Sequence, residues 1–117
     1  MPSFRFSDFE IIADDLATQG GEGKLRVAVS RLYYALFHLA KQRTGVRARD
    51  HIHAAVVAEV RRRDRGAGDK LDALKRYRLD ADYNLNPSLK KACGNWDLNW
   101  KTVRMIAKQI APRLNRL

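Results

Sequence analysis

The sequence predicts an all-α fold, an up-and-down helical bundle of four long helices plus a short helix. Apolar residues recur at spacings of three and four along most of the chain, which is typical of helices that bury one face. No window shows the sustained alternation of apolar and polar residues that a half-buried strand requires. With 117 residues the chain can bury one hydrophobic core, so residues 1–117 are predicted to form a single domain.

The central element is predicted to be a helix from Lys24 to Thr44. Its wide apolar stripe consists of Leu25, Val29, Leu32, Tyr33, Leu36, Phe37, Leu39 and Ala40. Such a stripe indicates a helix that packs against several others. On the remaining side, Arg31 and His38 are seven residues apart, which at about 100° per residue places them within about 20° of each other. Tyr34 lies on the same side, one turn after Arg31.

Local signals predict a first helix before the central one. Ser7 and Glu10 fit a capping box, so this helix is predicted to run from Asp8 to about Thr18 with Ser7 as its N-cap. Glycines at positions 20, 21 and 23 follow. Because glycine makes a tight turn easy and a continuing helix costly, the chain is predicted to reverse there.

A basic cluster ends the predicted third helix. This helix is predicted to begin after Asp50, its N-cap, and to end before Gly66 and Gly68, because a glycine just beyond the last turn is a common terminator. The basic cluster comprises Arg61, Arg62, Arg63 and Arg65. Positive charge is favourable in a last helical turn, which explains the cluster without any ligand. The same four residues are also the candidate nucleic-acid-binding residues, because they could contact successive phosphates.

Two further helices complete the predicted bundle. The fourth is predicted from Asp69 to about Ala81 and the last from about Trp96 to Leu114. Residues 82–95, between them, are rich in asparagine and other turn-forming residues and are predicted to be mostly loop.

The charge and the cysteine count narrow the class of partner and the compartment. A formal net charge of +10 and a pI near 10.3 favour binding to RNA, to DNA or to an acidic protein. A single cysteine allows no intrachain disulfide and is typical of a cytoplasmic protein. No apolar run approaches the roughly 18 residues of a membrane span, and the first residues lack the apolar core of a signal peptide. No membrane association is expected.

Two motifs in the chain resemble those of a known family. Residues 30–38 read Ser-Arg-Leu-Tyr-Tyr-Ala-Leu-Phe-His, and residues 78–83 read Arg-Leu-Asp-Ala-Asp-Tyr. Both motifs, in this order in an all-helical chain of this length, are similar to those of the small stand-alone prokaryotic members of the HEPN domain family. The resemblance covers roughly Leu16 to Arg116. It implies a helical bundle that often forms a homodimer. It also implies a protein that acts on RNA, in many members as a metal-independent endoribonuclease.

The resemblance also implies a partner and a catalytic site. Such endoribonucleases are often the toxin paired with a minimal nucleotidyltransferase antitoxin. Their signature is an arginine, four to six residues, and then a histidine, which Arg31 and His38 fit and which Arg78 does not. Arg31 would stabilise the phosphate charge in the transition state, and His38 would transfer the proton, leaving a 2′,3′-cyclic phosphate. The residues expected to support this site are Tyr34, Arg78, Asp82 and Tyr83.

Two interpretations of these residues remain open. Arg31 could instead pair with Asp82 or Asp80 across the bundle, because a buried arginine needs a carboxylate partner. Such a network could also orient Arg31 and His38 for catalysis. The alternative function is a non-catalytic module whose basic face binds a nucleotide or docks an acidic nucleotidyltransferase.

The other histidines predict neither metal nor cofactor. His51 and His53, spaced i and i+2, point to different sides of a helix and make a poor metal pair. The favoured interpretation is that both are exposed in a first helical turn, and the alternative is a role as an auxiliary acid or a phosphate contact. No metal ion and no other cofactor is predicted.

Overall fold

The computed structural model describes residues 5–84 and 92–117, and this part of the chain contains five α-helices and no strand. The helices are α1 (Phe6–Gln19), α2 (Glu22–Thr44), α3 (Ile52–Arg63), α4 (Arg65–Tyr83) and α5 (Trp96–Asn115). This confirms the predicted all-α bundle.

The core of the bundle surrounds α2. This helix packs against each of the other four. Ten of its residues are buried, among them Leu32, Tyr33 and Leu36, which are fully enclosed. A helix with such a wide apolar stripe can bury the whole stripe only if it has neighbours on several sides, as the sequence predicted.

The first helix begins earlier than its sequence signal indicates. Its N-cap is Arg5, which makes no capping hydrogen bond with its side chain, and Ser7 lies inside the helix. The predicted capping box at Ser7 is therefore wrong. Phe6 packs against the hydrophobic core, which favours starting the helix before that residue.

The junction between α3 and α4 also differs from the prediction. Asp64 alone separates the two helices, and its side chain caps α4 by accepting a hydrogen bond from the Ala67 N–H at 3.1 Å. Gly66 and Gly68 lie inside α4 and do not terminate α3. A Cβ atom at position 68 would lie 2.7 Å from the backbone nitrogen of Arg61 and 2.8 Å from its Cα. Glycine is therefore required at position 68, where the two helices approach closely. From the sequence alone, the same glycine was interpreted as a helix terminator.

Other helix ends are shifted by a few residues. The predicted N-cap Asp50 precedes the observed one, His51, whose φ of 54° is left-handed. The fourth helix continues to Tyr83, two residues beyond the predicted end. Within the predicted loop 82–95, residues 92–95 are non-helical, while residues 85–91 lie outside the described part.

Candidate functional site

The predicted catalytic pair lies on the exposed side of α2. Arg31 and His38 are both exposed, and their separation of two helical turns corresponds to about 10 Å along the axis. Neither a hydrogen bond nor an ion pair joins Arg31 to any residue that the structure describes. The imidazole of His38 lies against two rings, with centroids 5.3 Å from Phe37 and 6.2 Å from Tyr34. Arg31 and His38 thus share a face without touching.

The structure brings the four predicted supporting residues together around Arg78. Its Nε lies 3.0 Å from Oδ2 of Asp82, and its Nη2 donates to the hydroxyl of Tyr34. The guanidinium carbon also lies 4.8 Å from the ring centroid of Tyr34 and 5.5 Å from that of Tyr83. The side chain is only 14% exposed. Ser30 donates to the same Asp82 oxygen at 3.2 Å, which ties α2 to α4.

The alternative pairing of Arg31 with a carboxylate of α4 does not occur. Asp82 is already paired with Arg78. Asp80 is buried and accepts hydrogen bonds from the Ala92 backbone N–H at 3.0 Å and from the Asn84 amide at 3.2 Å. Because Arg31 points to solvent, it needs no carboxylate partner.

The buried arginine of α2 is Arg26, which the sequence interpretation missed. Its Nη1 donates to the backbone carbonyls of Asp80 (2.9 Å), Ala81 (3.2 Å) and Asn84 (2.8 Å). Its guanidinium also lies 4.5 Å from the ring centroid of Trp96. The last carbonyls of a helix lack intrahelical donors, so Arg26 satisfies the end of α4.

His53 is a functional candidate that the sequence interpretation placed in an exposed position. Its ring stacks on Phe37 at 4.1 Å between centroids, and its Nδ1 shares a 2.8 Å hydrogen bond with the hydroxyl of Tyr33. The prediction that His53 is exposed is therefore wrong, whereas His51 is exposed as predicted. The hydrogen bond to Tyr33 occupies Nδ1 and leaves Nε2 for exchange of a proton.

A signal for this position was present in the sequence. The buried residues of α3 are Val56, Val57 and Val60. His53 precedes them by three, four and seven residues, so it continues their stripe toward the start of the helix. A histidine on an apolar stripe is expected to be packed and hydrogen-bonded.

Two histidines therefore border one patch of surface. We call His38, His53, Tyr34 and Arg78 the two-histidine face. Both imidazoles contact the rings of Phe37 and Tyr34, and Arg78 lies over Tyr34. Three helices supply these side chains: α2 the first histidine and the tyrosine, α3 the second histidine, and α4 the arginine.

The surroundings lower the pKa of both imidazoles. Partial burial lowers the pKa of His38, and the charge of Lys41 adds to the effect. Burial also lowers the pKa of His53, followed by the charges of Arg78, Lys75 and His38. Since the ordinary value is 6.5, both rings are mainly neutral at pH 7 and suited to accept a proton.

Positive charge without an ion-pair partner surrounds this face. Four basic side chains near it form no ion pair with any described residue: Arg31, Lys41, Arg47 and Lys75. Arg31 and Lys41 lie on the stripe of α2 that carries Tyr34 and His38, and Lys75 lies one turn before Arg78 on α4. Their charges remain available to an anion.

The basic cluster, in contrast, is largely paired. Glu59 lies 2.6 Å from Arg62 and 3.0 Å from its neighbour at position 63. Asp69 lies 2.8 Å from Arg61. The side chains of Arg62 and Arg65 are nevertheless 70% and 87% exposed, so these two remain accessible to a nucleic acid.

The part of the chain that the structure describes contains neither a metal-binding cluster nor a membrane-spanning helix. Within residues 5–84 and 92–117, no group of three or more histidine, cysteine or acidic side chains is placed to hold a metal ion. None of the helices in this part has the length and apolar character needed to cross a bilayer. No protein-family model, no curated protein and no solved structure matches the chain.

Proposed function

We propose that this chain is a HEPN-like RNA-binding protein that cleaves RNA without a metal ion. The observation that carries the proposal is the two-histidine face, where two imidazoles lie against the ring of Tyr34 and the largely buried guanidinium of Arg78 lies over the same ring. The motifs at residues 30–38 and 78–83 support the same class of function. Metal-independent cleavage of RNA needs a base, an acid and a fixed cation, and these residue types supply all three.

The proposed reaction is an internal transfer of the phosphodiester. One imidazole accepts the proton of the 2′-hydroxyl, whose oxygen attacks the adjacent phosphorus. The bond from phosphorus to the 5′-oxygen breaks, and the other histidine, which enters the reaction in its imidazolium form, donates its proton to that oxygen. Because the pKa of both rings is lowered, the active fraction of the protein is the one in which one ring is protonated and the other is neutral. The products are a 2′,3′-cyclic phosphate and a free 5′-hydroxyl.

Two arginines have different parts in this scheme. Arg78 is held by Asp82 and Tyr34, while its Nη1 makes no hydrogen bond to any described residue. It would stabilise the charge on phosphorus through that nitrogen. Arg31, which is exposed, would hold a neighbouring phosphate and not the reacting one. This differs from the role that the family signature implies for Arg31.

The partners in the proposal come from the family resemblance. The protein would act as the toxin of a toxin-antitoxin pair, with a nucleotidyltransferase as antitoxin, and would form a homodimer in the cytoplasm. Two imidazoles in one chain already supply an acid and a base, so a second copy is not needed for the chemistry. The exposed members of the basic cluster, Arg62 and Arg65, would extend the contact with the RNA backbone.

The test is cleavage of total RNA by the purified protein in EDTA. Replacing His38 or His53 with Ala should lower kcat by roughly 100-fold or more, because each would lose a proton-transfer group. His51→Asn is the matched control, since His51 is exposed at the start of α3 and asparagine tolerates its left-handed backbone. That variant should cleave at the wild-type rate.

The result also separates the proposal from its alternative. Circular dichroism must show that each variant keeps its helices. If the wild-type protein leaves RNA intact but binds RNA or a nucleotidyltransferase, the non-catalytic module is the correct interpretation. Equal loss of activity in His51→Asn would exclude a specific role for the other two histidines.

A further inference from the structure

An open pocket lies next to His38, on the side of α2 where the helix ends. Its volume is about 590 Å³, within the range of roughly 300–1,000 Å³ typical of small-molecule sites. Phe9 of α1 lines one part, and His38, Lys41 and Gln42 of α2 line another. Arg47, in the connection from α2 to α3, also lines the pocket.

The charge of the pocket favours an anion. Three of its lining side chains are cationic or can become so, namely His38, Lys41 and Arg47, and none of the described lining residues is acidic. Lys41 and Arg47 form no ion pair with the described residues. Lys41 is close enough to His38 to lower the pKa of its imidazole. Positive charges kept together without a counter-ion make a favourable place for a phosphate.

The end of α2 would normally oppose an anion, because the carbonyls at a helix C-terminus carry partial negative charge. Here three carbonyls near the end of α2 accept hydrogen bonds from side chains. The hydroxyl of Thr44 donates to the carbonyl of Ala40 at 2.8 Å. Arg63 donates to the carbonyls of Arg43 at 3.3 Å and Thr44 at 3.4 Å. The charge of Arg63 thus offsets the helix end beside the pocket.

The rest of the pocket suits a flat, partly polar group. Phe9 and Val46 provide apolar contact, and aromatic rings are common stacking surfaces for nucleobases. The amide of Gln42 can both donate and accept hydrogen bonds at the edge of a base. An apolar wall opposite cationic groups matches a base joined to a phosphate.

We infer that this pocket holds one nucleotide of the RNA strand, with its phosphate near Lys41 and Arg47 and its base against Phe9 and Val46. His38 borders both the pocket and the two-histidine face, so a nucleotide here would lie next to the bond that is cleaved. The inference that this pocket is a subsite for cleavage rests on the proposed function. The inference that it binds a single nucleotide does not rest on that function.

The first experiment measures binding without catalysis. Adenosine 5′-monophosphate, adenosine and inorganic phosphate are titrated into the full chain, and affinity is measured by calorimetry or amide chemical shifts. Adenosine 5′-monophosphate should bind at least about tenfold more tightly than adenosine, because only the former can pair with the cationic groups. The double variant Lys41→Gln, Arg47→Gln should lose about tenfold or more of that affinity. Lys101→Gln, on α5 and outside the pocket, should not change it.

The second experiment measures cleavage of a trinucleotide, which carries a second phosphate besides the one that reacts. The double variant should raise KM by about tenfold. Because Lys41 lowers the pKa of His38, kcat is compared at the pH optimum of each protein, where it should change by less than KM, whereas a histidine variant lowers kcat at every pH. Tight binding of the monophosphate by a protein that cleaves no RNA would confirm the pocket and overturn only the proposed function. Cleavage with no binding of the monophosphate, and with an unchanged KM in the double variant, would overturn the pocket alone.

Discussion

Arg26 shows how a single side chain can hold two helices together. It reaches from α2 to three carbonyls at the end of α4 and is only 12% exposed. Replacing Arg26 with Ala would remove this donor from the carbonyls of Ala81 and Asn84, while that of Asp80 would keep the backbone N–H of Asn84 at 3.1 Å. The free energy of unfolding should fall by about 2–4 kcal/mol, measured by denaturant unfolding.

A second arginine on the same helix provides the control for this prediction. Arg31 is exposed and forms no ion pair with the described residues, so Arg31→Ala should change the free energy of unfolding by less than about 0.5 kcal/mol. Equal effects of the two substitutions would mean that the contacts of Arg26 with α4 contribute nothing to stability.

His53 predicts a dependence of stability on pH. Burial, followed by the charges of Arg78, Lys75 and His38, lowers its pKa from the usual 6.5. The unfolded chain therefore binds more protons than the folded one below about pH 6.5, and stability should fall as the pH drops through the lowered value. The melting temperature should decrease between about pH 7.5 and pH 5.5, and His53→Gln should show a smaller decrease.

Two ion-paired carboxylates, Glu59 and Asp64, do not interfere in this pH range. Arginine neighbours lower the pKa of Glu59 to about 2 and that of Asp64 below its usual 3.8. Both groups lose their contribution to the free energy of unfolding only in stronger acid. If the melting temperature of His53→Gln decreases as much as that of the wild-type protein between about pH 7.5 and pH 5.5, titration of His53 is not the cause of the decrease.

At the residue scale, the sequence was informative where one helix sets the geometry. The common face of Arg31, Tyr34 and His38 follows from helical periodicity alone. The partners of Arg26 and His53 lie on other helices, so they depend on how those helices cross. Spacing within a helix could indicate that His53 is packed but not that Tyr33 is its partner.

At the scale of elements, the crossing of α3 and α4 depends on Gly68. A Cβ atom there would meet the backbone of Arg61 at under 3.0 Å, and backbone cannot move aside as a side chain can. Gly68→Ala should therefore lower the free energy of unfolding by about 1–3 kcal/mol, although alanine is the better helix former. Chemical denaturation followed by circular dichroism measures the change.

Gly23 is the matched control for that substitution. It lies in the first turn of α2, and a Cβ atom there would meet nothing within 4 Å. Gly23→Ala should leave stability unchanged or raise it by up to about 1 kcal/mol, through helix propensity and a less flexible unfolded chain. A stabilising Gly68→Ala would show that α3 and α4 can separate at no cost.

The elements themselves were predicted far better than their ends. All five helices were predicted from apolar periodicity, a signal to which many residues contribute. The ends depend on a few local contacts: Phe6 extends α1, and Asp64 divides α3 from α4. The same glycine can terminate a helix or permit a close crossing, and only the partner helix decides between these roles.

At the scale of the whole molecule, the placement of charge predicts how RNA binding responds to salt. The +10 chain has cations without ion-pair partners near the two-histidine face, including Arg31 and Lys75. Binding to single-stranded RNA should weaken with salt, with a slope of about −0.7 per contacted phosphate in a plot of log affinity against log salt. Arg31→Gln and Lys75→Gln should each reduce the slope by about one such contact.

The control for this experiment is Lys101→Gln. Lys101 is exposed on α5, which contributes no residue to the two-histidine face. It should leave the slope unchanged. A uniform reduction by all three substitutions would indicate binding through net charge alone and not through a defined surface.

The fold class and the basic character were thus accessible from the sequence, while the composition of the candidate site was only partly so. The stretch from Arg31 to His38 was identified, and the four supporting residues around Arg78 do come together. His53 joins them only because α3 packs beside α2. Packing between helices distant in sequence depends on the whole set of side chains, and local pattern does not contain it.

The single residue between α3 and α4 has a consequence for the geometry of the site. One residue permits little relative movement of the two helices, and the salt bridge of Asp64 to Arg113 at 2.9 Å fastens this corner to α5. Because α3 carries His53 and α4 carries Arg78, the corner fixes the spacing between that imidazole and that guanidinium.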